Sequence, residues 1–178
     1  MASRVVLLRG INLGPRNRIP MPALREVLTR AGFEDVRTYL QSGNVVLSSN
    51  RSPEQIAREC ERQIADAFGL EIDVVVRTGE ELAEVVRRDP LGDVAVNPKR
   101  YQVSFLAAEP DPDIAERLQA VTVEPERFVV VGREIYAWHP DGIGRSRLWA
   151  LLAGRGLEVT STARNWTTVT KLLAIANE

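Results

Sequence analysis

The chain is poor in several residue types, and each shortage removes a class of function. It has one cysteine, Cys60, one histidine, His139, and only two lysines, Lys99 and Lys171. A single cysteine excludes an internal disulfide and any cysteine-built metal cluster. A single histidine, with no H-E-x-x-H spacing, leaves His139 as a structural residue at a strand end before Pro140. Catalysis by a nucleophile with a histidine base is therefore poorly supplied with parts. Long apolar runs are also missing. Residues 5–8 are too few for a signal peptide, and nothing approaches the roughly 18 residues of a membrane span. The expectation is a cytoplasmic protein with no membrane partner.

Charge of one sign is lacking as well. The 23 basic and 24 acidic residues leave a net charge of −1, so no global field recruits nucleic acid. The first forty residues are locally basic, with seven arginines against Glu26, Glu34 and Asp35, which reads as a solvated basic face. Because arginine replaces lysine almost everywhere, as in GC-rich coding, an arginine alone says little about function. What remains is an ordinary globular composition, 44% hydrophobic and 26% charged, which excludes a largely disordered chain.

The periodicity predicts two runs of one element order. Residues 5–9 read as a strand, and Leu24, Val27, Leu28 and Ala31 as a helix closed by Gly32. Residues 36–41 and 44–48 read as a hairpin around a tight turn at Ser42-Gly43. Ser52-Pro53-Glu54-Gln55 is a capping box with proline at the first helical position. Its helix carries Ile56, Cys60, Ile64 and Phe68 on one face, which makes Cys60 inert packing. Strand 72–77 and a helix from Thr78 to Arg88 follow. After a linker the order recurs, with a short strand expected near residues 157–160 and a last helix from Trp166.

The predicted fold is α+β: two ferredoxin-like β-α-β-β-α-β subdomains, each followed by an extra helix, packed against each other. The boundaries are 1–90, a linker at 91–100, and 101–178. Continuous apolar strands at 5–8, 74–76 and 129–131 predict sheets covered on both faces.

Strand order in such a unit brings the loop after strand one and the turn between strands two and three to one end of the sheet. That places Arg9, Asn12 and Gly14 near Tyr39, Gln41, Ser42 and Asn44. Glycines let backbone N–H groups approach a ligand, and arginine grips carboxylate or phosphate with two prongs. The alternative reading is that Gly10 and Gly14 only shape a turn, as Gly43 does on backbone preference. Neither G-x-x-x-x-G-K-[ST] nor G-x-G-x-x-G is present, so no cofactor is expected. Thr162-Ala163-Arg164-Asn165-Trp166 precedes the last helix; Thr162 or Asn165 can cap it, and Arg164 beside that helix end favours an anion. Trp166 belongs to the apolar stripe of that helix.

Three stretches carry a family resemblance: Leu7-Leu8-Arg9-Gly10-Ile11-Asn12, Arg37-Thr38-Tyr39-Leu40-Gln41-Ser42-Gly43-Asn44-Val45, and Thr162-Ala163-Arg164-Asn165-Trp166-Thr167-Thr168-Val169. Weaker matches fall at Asn97-Pro98 and Gly144-Arg145-Ser146. In these the chain resembles the bacterial family catalogued as domain of unknown function 1697. The resemblance implies a compact α+β protein of two subdomains and carries no assigned activity. Thr167 stands where the family usually has asparagine, and Pro15, where a second glycine is common, implies a stiffer loop.

The leading functional expectation is a small anionic ligand, a nucleotide or phosphorylated metabolite, in a cleft between the subdomains. Its candidate contacts are Arg9, Asn12, Gly14, Tyr39, Gln41, Ser42, Asn44, Arg164 and Asn165; no catalytic residue or reaction is assigned, and no metal site. Single-stranded RNA binding is the alternative from the shared element order. It calls for aromatics on the central strands, which residues 5–8 and 45–47 do not supply, so a nucleic-acid partner is disfavoured. A purely structural or protein-interaction role for the polar motifs is the third reading. Oligomeric state has no signature in the chain.

Overall fold

The computed structural model describes residues 1–178. The molecule is a mixed α+β protein with two four-stranded antiparallel sheets and six helices. It divides into a first unit, Met1–Glu84 with Lys171–Glu178, and a second unit, Val85–Thr170.

The first unit holds β1 (Ala2–Leu8), α1 (Met21–Arg30), β2 (Glu34–Tyr39), β3 (Asn44–Ser49), α2 (Pro53–Phe68), β4 (Val74–Thr78) and the start of α3 (Gly79–Arg88), with sheet order β2-β3-β1-β4. Alternation along the strands sends Val6, Leu8, Val45, Leu47, Val74 and Val76 to one face. There they meet Leu24 and Leu28 of α1 and Ile56, Cys60 and Ile64 of α2. Each such side chain, once fully buried, contributes about 1.5–3 kcal/mol. Val5, Leu7, Val46 and Val75 on the opposite face are buried too, so this sheet is covered on both sides. α2 begins with the capping box read in the sequence: Ser52 Oγ accepts from Gln55 N at 3.2 Å and Gln55 Oε1 accepts from Ser52 N at 2.9 Å. Gly69 ends it in the left-handed region, at φ 68°.

The second unit holds the end of α3, β5 (Tyr101–Leu106), α4 (Ile114–Val121), β6 (Arg127–Val131), β7 (Glu134–Trp138), α5 (Arg147–Ala153), β8 (Ser161–Asn165) and the start of α6 (Trp166–Ala176), with sheet order β6-β7-β5-β8. Leu106, Ile135 and Ala137 pack with Ile114 and Leu118 of α4 and Leu148 and Leu152 of α5. The other face is aromatic: Tyr101 stacks on Trp166 with ring centroids 4.7 Å apart, and Tyr136 lies 6.4 Å from Tyr101. The tyrosine hydroxyls are satisfied inside, Tyr136 donating to the Val85 carbonyl at 2.8 Å and Tyr101 to Asp89 at 3.0 Å.

Two expectations about the elements need correction. The last strand is Ser161–Asn165, not residues near 157–160. Arg164 is therefore a strand residue, opposite Val103 of β5. β2 stops at Tyr39; Leu40 takes φ 60° and turns outward, so the connection to β3 is residues 40–43 rather than a tight turn. Residues 91–100 are packed into the second unit: the Leu91 N–H donates to the Tyr101 hydroxyl, and the Pro98 carbonyl accepts from Trp166 N at 3.1 Å. The chain's last residues return to the first unit, where Ser3 Oγ donates to the Ala176 carbonyl at 2.9 Å and Arg37 pairs with Glu178 at 2.7 Å.

Candidate functional site

The end of the first unit's sheet is built on two backbone bonds. Leu8 N–H donates to the Gly43 carbonyl and Arg9 N–H to the Asp73 carbonyl, both at 2.9 Å. Gly43 has no substitute there. Its φ is 88°, and an added Cβ would lie 2.8 Å from Leu8 Cβ and 2.9 Å from Ile11 Cδ1. Closing the turn against β1 requires glycine on both counts.

From Arg9 the chain loops out over residues 9–20 before α1. Asn12 holds this loop to the neighbouring turn. At φ 55° it takes the left-handed conformation that asparagine tolerates better than most residues. Its Nδ2 donates to the Ile19 carbonyl at 2.9 Å and to the Gln41 carbonyl at 2.7 Å, while Oδ1 accepts from Ile19 N at 2.9 Å. The side-chain amide thus pairs with Ile19 as a peptide group would and ties the loop to the 40–43 turn. The Asn12 N–H closes the loop on the Asn17 carbonyl at 3.0 Å, and the buried Ile11 and Ile19 anchor both limbs.

Asn44 performs the same task inside the turn. It is fully buried, and its Nδ2 donates to the Tyr39 carbonyl at 2.8 Å and Ser42 Oγ at 2.9 Å. Arg9, Asn12, Gly14, Tyr39, Gln41, Ser42 and Asn44 accordingly meet at one end of one sheet. The side-chain amides of Asn12 and Asn44 are engaged with the protein. The groups turned to solvent are Gln41, Gly10, Arg16, Arg18, and the leucines Leu13 and Leu40. α1 starts directly after this loop with Pro20 at its N-cap, no side-chain cap and no acidic residue in its first turn. The positive end of its dipole is left uncompensated by the chain.

Arg164 and Asn165 belong to the second unit. Arg164 is buried in the strand ladder, its Nη1 donating to Thr162 Oγ1 at 2.6 Å and the Ala163 carbonyl at 2.8 Å. Burial pushes its guanidinium down to about 10. Asn165 caps α6, Oδ1 accepting from Thr168 N at 2.9 Å. Cys60 is core, its thiol raised to about 12 by burial.

Two sets of residues were not legible as candidates. Arg16 and Arg18 carry no motif and fall under the discount that an arginine-rich chain imposes. Glu126 and Ser146 are apart in sequence but meet at His139: Nδ1 lies 2.6 Å from Glu126 Oε2, and Ser146 Oγ donates to the same oxygen. Facing a carboxylate, Nδ1 carries the imidazole proton. Burial holds His139 below its ordinary range, outweighing Glu126, which acts to raise it. The one signal was Gly144-Arg145-Ser146, a weak family match.

The chain belongs to the family described as protein of unknown function (DUF1697), whose model matches residues 1–136. Among solved structures it is similar to the conserved bacterial protein SP0830 from Streptococcus pneumoniae, with a TM-score of 0.76 and 22% identity over 98% of each chain. That likeness establishes a shared fold. No curated protein matches. No helix is long and apolar enough to cross a membrane.

Proposed function

We propose that this DUF1697 member binds a small anionic ligand, a nucleotide or phosphorylated metabolite, where residues 9–20 meet the 40–43 turn of the first unit. The observation that carries the proposal is a loop locked from within by Asn12 that leaves Arg16 and Arg18 exposed beside an uncapped helix start. Preorganised guanidinium groups and free backbone N–H groups are the two devices by which proteins hold phosphate. Asn12 and Asn44 act as framework, while Gln41 and the open surfaces of Gly10 and Gly14 face the ligand. Arg164 and Asn165 serve the second unit's own strand and helix. The strand orders, with their β-α-β-β-α-β connections, support reading each unit as ferredoxin-like. The lone buried cysteine and the lack of a membrane-spanning helix favour a cytoplasmic setting.

The test is a calorimetric titration with pyrophosphate and a nucleoside diphosphate against three proteins: wild type, Arg16→Ala/Arg18→Ala, and Gly14→Asp. A Cβ on Gly14 meets nothing within 4 Å, so Gly14→Asp adds a negative charge to the loop without disturbing the fold. A hydrogen bond to a charged group is worth about 1.5–3 kcal/mol, so either variant should bind about tenfold more weakly or worse. Equal affinity in all three proteins would refute the site.

A further inference from the structure

The second unit contains a pocket of about 560 Å³ lined from residues 123–126 and 141–146. That volume is in the range of small-molecule sites. The pocket is lined by Glu126, whose side chain is only 13% exposed. Oε2 is fixed by two donors, the imidazole of the fully buried His139 and the hydroxyl of Ser146, which also caps α5 by accepting from Trp149 N at 2.9 Å. Oε1 makes no bond within the protein and stays accessible to the pocket that Glu126 lines. A carboxylate held at one oxygen and presented by the other is oriented in advance, which removes part of the ordering cost of binding.

We infer that this pocket is a second ligand site, for a small alkylammonium or alkylguanidinium cation, with Glu126 as its anchor. The charge preference follows from the anchor, because an ionised carboxylate only accepts hydrogen bonds and pairs best with a multivalent donor. Val123 and Pro125 line the same pocket and give an alkyl chain apolar surface. Glu124 and Asp141, exposed at the rim, add negative potential. Arg145, the one cation in the lining, makes no ion pair with Glu126 and leaves the anchor open.

His139 is the protein's sole histidine and hydrogen-bonds Glu126, so its imidazole resonances report on the site without labelling the rest of the chain. The test titrates n-propylammonium and methylguanidinium into the full chain at about 150 mM salt, where non-specific surface attraction is screened. Propionamide serves as the neutral control and acetate as the anionic one. The expected result is a saturable shift of the His139 signals with both cations and none with either control. Glu126→Gln should weaken binding tenfold or more. Should that variant unfold, Glu124→Gln/Asp141→Asn, which leaves the His139 pair intact, should weaken binding about threefold. Saturation by acetate, no saturable shift with either cation, or cation affinity unchanged in the folded variants would overturn the assignment.

Discussion

The two units share one construction, and the same point in each shows how far they have diverged. In the first, Leu8 N–H donates to the Gly43 carbonyl; in the second, Leu106 N–H donates to the Arg133 carbonyl, also at 2.9 Å. The next residue repeats the match, Arg9 to Asp73 and Ala107 to Thr160. Around this common frame the connections differ. The first unit has residues 9–20 and 40–43, bonded to each other through Asn12; the second has the shorter 107–113 and 132–133. The polar elaboration of the second unit lies instead around His139, after β7. A covered sheet leaves little room for function on its faces, and each unit has put its polar chemistry in different loops.

The sharpest way to break this comparison is to substitute the two turn glycines. Gly43→Ala should cost about 2–4 kcal/mol, since left-handed strain adds to overpacking against Leu8 and Ile11. Gly132→Ala, at φ 57° with nothing within 4 Å of the new Cβ, should cost only about 1–2 kcal/mol. Urea midpoints would measure both, and equal losses would remove the distinction.

Asn12→Ala should come next. It removes three hydrogen bonds of the loop, and at about 1 kcal/mol net each, with partial compensation by water, it should cost about 2 kcal/mol. Hydrogen exchange should speed up at Ile19 N–H and leave the 107–113 segment unchanged. A uniform increase in both units would mean that Asn12 holds more than its own loop.

Acid should separate the units in the other direction. His139 is held below its ordinary pKa, so the unfolded chain binds a proton that the folded second unit refuses. The stability this gives is complete above the ordinary histidine value of about 6.5 and declines as pH falls from there toward the depressed folded value. Nε2 of His139 is buried without a partner, so the added charge has nowhere favourable to go. Thermal unfolding between about pH 5 and 7 should show this slope in wild type and lose it in His139→Phe; a slope that survives would assign it to other groups.

The smallest effect should be Arg16→Ala/Arg18→Ala on stability, within about 0.5 kcal/mol because both side chains are exposed. It is also the most discriminating, since it separates recognition from framework.

Much of the frame was legible in the chain. The apolar strands, the Ser52 capping box and the order of elements are local signals, and each reappears in the structure. β8 was not legible because Ser-Thr-Ala-Arg-Asn has no apolar run; its pairing comes from β5, which supplies the ladder. The return of residues 171–178 to the first unit depends on Ser3 and Arg37, partners far away in sequence. The cap at Asn165 was legible from its place before α6. The amides at 12 and 44 stood out as unusual, but no local pattern shows which carbonyl or N–H such an amide will meet; here each meets the protein's own backbone. The exposed guanidinium groups beside them were hidden by the abundance of arginine.

In the proposed reading the first unit's loop and turn form the recognising end and the matching end of the second unit does not. Backbone amide NMR during a pyrophosphate titration tests it most directly. The predicted result is saturable shifts confined to residues 9–20, 40–43 and the first turn of α1, abolished in Arg16→Ala/Arg18→Ala. Shifts of equal size at 107–113 and 132–133, or none at 9–20, would contradict it.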